Sequence, residues 1–141
     1  MVNQQKKNLE IPKKFTPIFS KVSGQYLFIM AYQGVKNPNA MILVYDSKSK
    51  EISTTDVLFP EKFRWYNVRY SWGETGVEVI GDHLFLGGYL GKKNPTLFKI
   101  NWKNGDFKSV PIEVTNVKPK KIFISRLLKI NGSDEIALVL K

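Results

Sequence analysis

His83, the single histidine of this 141-residue chain, directly follows Asp82, and the two together are the only neighbours whose types suit general acid–base work. Carboxylates also occur as the pairs Glu61 and Glu74, and Asp134 and Glu135. They lie in turn-like segments with no second acidic cluster to oppose them, so they read as solvated. The chain has no cysteine, which excludes a thiolate nucleophile, a disulfide frame and any Cys-based zinc or iron–sulfur site. No nucleophile-elbow, phosphate-loop, zincin or EF-hand spacing occurs. The Gly-Gly-Tyr-Leu-Gly stretch from Gly87 to Gly91 is not followed by a helical pattern, which argues against a dinucleotide site. The expectation is a protein that is not an enzyme, with no catalytic, cofactor-binding or metal residues of its own.

Charge is more informative. Lysine and arginine number 22 against 12 aspartates and glutamates, a formal net charge of +10, which favours partners with acidic surfaces or segments. The first ten residues are polar, and no apolar run approaches the roughly 18 residues of a membrane span. The chain therefore reads as cytoplasmic, with no membrane partner. Its 43% hydrophobic content and its length fit a single globular domain over residues 1–141.

That domain is read as all-β. Runs rich in β-branched and aromatic residues recur between Gly, Pro, Asn, Asp and Ser, as in Gln25–Tyr32, Met41–Asp46, His83–Tyr89, Thr96–Trp102 and Lys121–Ser125. No window sustains a helical period; Pro60–Trp65 leaves room for one turn. Asn104-Gly105 and Asn131-Gly132 carry the chemistry of type I′ hairpin turns, and Ser47–Lys50 forms a polar turn.

The sequence also repeats. Gly24–Pro38 aligns with Gly81–Pro95 at an offset of 57, identical at eight of fifteen positions, and after a two-residue gap Ile42–Ile52 overlays Leu97–Phe107. A third, partial copy starts at Leu127 and follows the pattern of Val77 onward. The units are repeat 1 (about 15–59), repeat 2 (about 63–114) and partial repeat 3 (about 120–141). Each full unit has four antiparallel strands, a to d. In the first these are Phe15–Val22, Gln25–Tyr32, Met41–Asp46 and Ile52–Phe59. In the second they are Val68–Ile80, broken near Gly73 and Gly76, then His83–Tyr89, Thr96–Asn101 and Phe107–Val114. Asn8–Ile11 reads as one more d-type strand ahead of them. On this alignment His83 takes the place of Tyr26, a packing position.

In the second copy, Leu84-Phe85-Leu86-Gly87-Gly88 is followed by Ile100-Asn101 and then Phe107; in the first, Val44-Tyr45-Asp46 is followed by Ile52, seven beyond Tyr45. This resembles the kelch repeat of β-propeller blades over roughly Gly24–Phe107. The resemblance implies paired glycines crowding near a central channel, and a ring seven positions beyond the third-strand tyrosine packing between blades. The departures are Met30-Ala31 in place of Gly-Gly, Ile100 in place of Tyr and Ile52 in place of Trp. The alternative architecture is a β-sandwich. Two and a half blades do not close a ring, so the expected form is a partial propeller, open or completed by association, with the C-terminal strand as a bare edge for a homo-oligomer.

In blade order the b-to-c and d-to-a connections emerge on one face. They carry Lys36, Lys92 and Lys93, and Lys13, Lys14, Lys62, Arg64, Lys118, Lys120 and Lys121, with Tyr32, Tyr89, Trp65 and Tyr66 near their bases. The a-to-b turns opposite are neutral or acidic. The expected function is a non-catalytic binding or scaffold module that recognises a protein partner through this basic face; the alternative is nucleic-acid binding by the same aromatic-lined surface.

Overall fold

A computed structural model of the chain describes residues 10–33, 39–59, 68–70, 76–90, 94–112, 124–130 and 135–140. The protein is all-β, and the described residues contain no α-helix. Glu10 and Ile11, the described part of the strand expected at Asn8–Ile11, are not in a strand, and Pro60–Trp65 lies outside the described residues.

The first unit is an antiparallel sheet in simple meander order: β1 (Thr16–Ser23), β2 (Tyr26–Gln33), β3 (Asn39–Asp46) and β4 (Ile52–Asp56). The second repeats that order with its first position divided. β5 (Val68–Tyr70) and β6 (Val77–Ile80) both pair with β7 (His83–Leu90), which leads on to β8 (Asn94–Asn101) and β9 (Phe107–Pro111). This is the interrupted first strand that Gly73 and Gly76 suggest. The third copy is a hairpin of β10 (Ile124–Lys129) and β11 (Ile136–Leu140), with β10 lying beside β6, β7 and β8.

The two units share hydrogen-bond geometry as well as strand order. Gly24 and Gly81 both have positive φ, 58° and 55°, as the residue that turns strand a into strand b. Tyr26 faces Asp46 across β2 and β3, and His83 faces Asn101 across β7 and β8. The two-residue gap falls in the b-to-c connection, which spans 34–38 in the first unit and 91–93 in the second. Asn94 and Pro95 are consequently the first residues of β8, structurally level with Asn39 and Ala40 rather than with Asn37 and Pro38.

The c-to-d turns match bond for bond. The Asp46 carboxylate accepts the backbone N–H groups of Lys48 (2.9 Å) and Ser49 (3.4 Å), and the Asn101 side-chain oxygen accepts those of Lys103 (2.9 Å) and Asn104 (3.2 Å). Lys50 N–H donates to the Asp46 carbonyl and Gly105 N–H to the Asn101 carbonyl, each at 2.8 Å. Only the last turn residue has positive φ, 65° at Lys50 and 86° at Gly105. A type I′ turn needs two such residues, so the type expected at Asn104-Gly105 is corrected: the Asx side chain at its start, rather than Asn104, organises the turn. Lys50 holds a conformation that costs a non-glycine residue about 1 kcal/mol, at the place where the second unit has glycine.

Alternation along the strands produces one core between the two sheets. Phe28 and Met30 of β2, with Ile42 and Val44 of β3, meet Leu84 and Leu86 of β7 and Phe98 and Ile100 of β8. Trp102, at the c-to-d turn of the second sheet, lies 5.4 Å from the Tyr26 ring and 5.2 Å edge-on to Phe28; its indole N–H donates to the Gly81 carbonyl at 2.9 Å. Lys21 of β1 pairs with Glu78 of β6 at 3.7 Å, and Leu58 N–H donates to the Gly105 carbonyl at 2.8 Å. Ala31, Met41 and Leu43, on the other face of the first sheet, are buried too. This explains why β3 reads as an unbroken apolar run: both its faces are covered.

Candidate functional site

The seven-residue spacing from Tyr45 to Ile52 and from Ile100 to Phe107 has a direct structural meaning. In each unit the two residues are cross-strand partners at the mouth of the c-to-d turn. Phe107 is buried and lies 4.9 Å from Phe59 and 5.7 Å from Phe98, so its ring packs between the end of the first unit and the second sheet. Ile52, its counterpart, is 42% exposed. The position is thus a buried contact between the units in the second copy and an exposed one in the first.

His83 sits in β7 opposite Ile80 and Asn101, half-buried, with the Phe85 ring centroid 6.3 Å away. Burial and the charge of Lys99 push its pKa below the ordinary value, while Asp82 pulls weakly the other way. The Asp82 carboxylate pairs with Lys103 Nζ at 3.2 Å. Among the described residues no group of three or more His, Asp or Glu could hold a metal ion. The depressed pKa has a signed consequence. The unfolded chain takes up a proton at higher pH than the folded one, so His83 contributes stability that is complete above the unfolded value and is lost as pH falls through the folded one. Since the chain has no other histidine, His83→Tyr, which installs the residue found at position 26, is expected to flatten the slope of stability between pH 7 and pH 5.5, read by denaturant titration. An unchanged slope would show that the imidazole is as solvated when folded as when unfolded.

Of the residues assigned to the basic face, Lys36, Lys62, Arg64, Trp65, Tyr66, Lys92, Lys93, Lys118, Lys120 and Lys121 lie outside the described residues, and the side chain of Tyr89 is likewise not described. The strands that frame them are described. β2 and β7 end, and β3 and β8 begin, at the sheet ends opposite the Gly24 and Gly81 turns. At that end the described chain enters through a turn in which Phe15 N–H donates to the Pro12 carbonyl at 2.9 Å, leaving Lys13 and Lys14 exposed at its corner. The next residue, Thr16, pairs with Tyr32, which packs half-buried against the core. Lys13 and Lys14 thus stand exposed three and two residues ahead of Thr16, the cross-strand partner of Tyr32.

At the opposite end two acids take part in the fold, Asp46 and Asp82. The Asp46 carboxylate caps a turn and accepts the Gln25 amide at 3.0 Å; its bonds from the Lys48 N–H, Gln25 and Ser49 hold its pKa below the usual value against the effect of burial. Asp82 is engaged by Lys103. The Asp-Ser-Lys-Ser and Asn-Trp-Lys-Asn stretches carry the signal of these turn caps in the sequence.

No protein-family model, curated protein or solved structure matches the chain. Among the described residues no helix is long and apolar enough to cross a membrane.

Proposed function

We propose that the chain is a non-catalytic binding module of kelch-like blades, and that it recognises an acidic segment of a partner protein through the sheet end where the b-to-c and d-to-a connections leave. The observation that carries this reading is the gathering of cations in the connections at that end. At the turn end Asp46 caps a turn and Asp82 is held in an ion pair, with Glu51 and Asp106 exposed beside them, whereas Lys13 and Lys14 stand exposed at the other end of the first sheet. The connections that depart there carry Lys36, Lys62, Arg64, Lys92, Lys93, Lys118, Lys120 and Lys121 in sequence. A surplus of cations in these connections raises the local concentration of anionic partners and suits an acidic peptide. The match between the two c-to-d turns supports the blade assignment, because it makes the units equivalent in backbone geometry.

The test uses a glutamate-rich peptide and a single-stranded oligonucleotide as probes. Replacing Lys92, Lys93 and Lys121 with Glu is expected to weaken peptide binding by about tenfold or more while leaving the melting temperature close to that of the parent. Equal peptide affinity of parent and triple variant would overturn the reading. A salt titration separates partner classes: phosphate-dominated affinity falls steeply with ionic strength. If the oligonucleotide binds with such a slope and the peptide does not bind, the surface belongs to nucleic acid instead.

A further inference from the structure

Where the first unit presents Tyr26, Val44 and Ser53, the second presents His83, Lys99 and Lys108 at the equivalent ladder positions. In the first unit Val44 is buried and Tyr26 packs against the core, so this face is spent on contact with the second sheet. In the second unit the sequence neighbours Leu84, Phe98, Ile100 and Phe107 are the buried ones. Alternation therefore turns His83, Lys99 and Lys108 to the opposite face of their sheet. A packing surface of one unit has become a cationic surface in the other.

The ladder brings the three cations together. Lys99 and Lys108 are direct cross-strand partners. Asn101 N–H donates to the Asp106 carbonyl, and hydrogen-bonded pairs alternate from there, so 99 and 108 form such a pair with Cα atoms about 5.5 Å apart. His83 faces Asn101, two residues from Lys99 along β8, a diagonal position within reach of long side chains. The Phe85 ring ties the group: Lys99 Nζ lies 5.8 Å from its centroid and the His83 ring 6.3 Å. Like charges placed directly opposite each other cost a sheet stability. Among the described residues no carboxylate relieves that cost, because Asp82 pairs with Lys103, Glu78 pairs with Lys21, and exposed Asp106 forms no ion pair with Lys99 or Lys108. The field of both lysines reaches His83: burial, Lys99 and Lys108 lower its pKa, while Asp82 and Asp106 act the other way.

We propose that His83, Lys99 and Lys108 form a site for a doubly charged phosphate group, either the free anion or the end of a phosphorylated side chain. Such a group carries close to two negative charges at neutral pH and three acceptor oxygens. Two ammonium groups match the charge, and the imidazole supplies a further donor. A phosphodiester, with one charge, would leave one of the facing lysines uncompensated. The site lies on a sheet face rather than in the b-to-c and d-to-a connections, so the inference stands independently of the acidic-peptide reading.

Nuclear magnetic resonance of the full chain tests it, because His83 is the only histidine and its ring C–H signals report on the site alone. With inorganic phosphate, His83 should titrate at higher pH than in chloride of equal ionic strength, since a bound dianion favours the imidazolium. Lys99→Gln and Lys108→Gln should each weaken phosphate binding about tenfold. In chloride each should also raise the His83 pKa, by removing a repelling charge. A phosphoserine peptide separates the two sources: binding tighter than that of inorganic phosphate assigns the site to a phosphorylated partner, weaker binding assigns it to the free anion, and both sustain the site. A His83 titration that phosphate leaves unmoved overturns the proposal. So does a phosphate effect that persists in the Lys99→Gln/Lys108→Gln double variant, the mark of an adventitious ion only. An oligonucleotide without terminal phosphates that binds more tightly than the phosphoserine peptide overturns the choice of a doubly charged group. Lys108 is exposed, so Lys108→Gln keeps the fold and decides the matter alone should Lys99→Gln not fold.

Discussion

Gly105→Ala is expected to lower the unfolding free energy by about 3 kcal/mol or more, a loss large enough to threaten folding near body temperature. Two costs add. A side chain at φ 86° meets the usual left-handed penalty of about 1 kcal/mol. The larger cost is steric: a Cβ built on Gly105 would collide with the carbonyl oxygen of Asp56. That carbonyl has little room to retreat, because Val57 N–H donates to the Ala40 carbonyl and Leu58 N–H to the Gly105 carbonyl, both at 2.8 Å. Gly81→Ala is the control. It shares the positive φ but has nothing within 4 Å of the added carbon, so about 1 kcal/mol should be lost. Chemical denaturation of both variants measures the difference. Similar small losses would mean that the turn does not press against the end of the first unit.

Phe28→Ala should cost about 3–5 kcal/mol and should do so in a single cooperative transition. Phe28 is fully buried in β2, and its ring is held between Tyr26, at 5.9 Å, and Trp102 of the second sheet, at 5.2 Å. Truncation removes apolar burial and leaves a cavity that sheet-bound backbones cannot collapse to fill. Because the cavity opens on both sheets, circular dichroism and tryptophan fluorescence should report the same midpoint. Separate midpoints would show that the two units do not share one core.

Much of this architecture was legible from periodicity. The match of Gly24–Pro38 with Gly81–Pro95 located β1 to β4 and β6 to β9 within a few residues, because side-chain alternation and turn-forming residues are local signals. The seven-residue spacing was also readable, although its physical basis is a cross-strand pair. What escaped depends on neighbours remote in sequence. Nothing near Trp102 announces that it packs on Tyr26 and Phe28 of the other sheet, and nothing near Ile52 announces its exposure where Phe107 is buried. The turn at Asn104-Gly105 was misread because dipeptide chemistry hid the earlier residue, Asn101, whose side chain shapes the loop. The candidate surface was legible only as charge. Lysines in connections carry no periodic signature, and those that can be placed are Lys13 and Lys14, exposed just ahead of β1.

The meander order has a kinetic consequence. Within the first sheet every ladder joins strands adjacent in the chain, so each can zip from its own turn in microseconds without waiting for distant partners. The slow search is left to a single event, the meeting of rings such as Phe28 and Trp102 that lie far apart along the polypeptide. Until then each hairpin stack presents a bare greasy side to solvent, and crowding or a holding chaperone would act on that interval above all others.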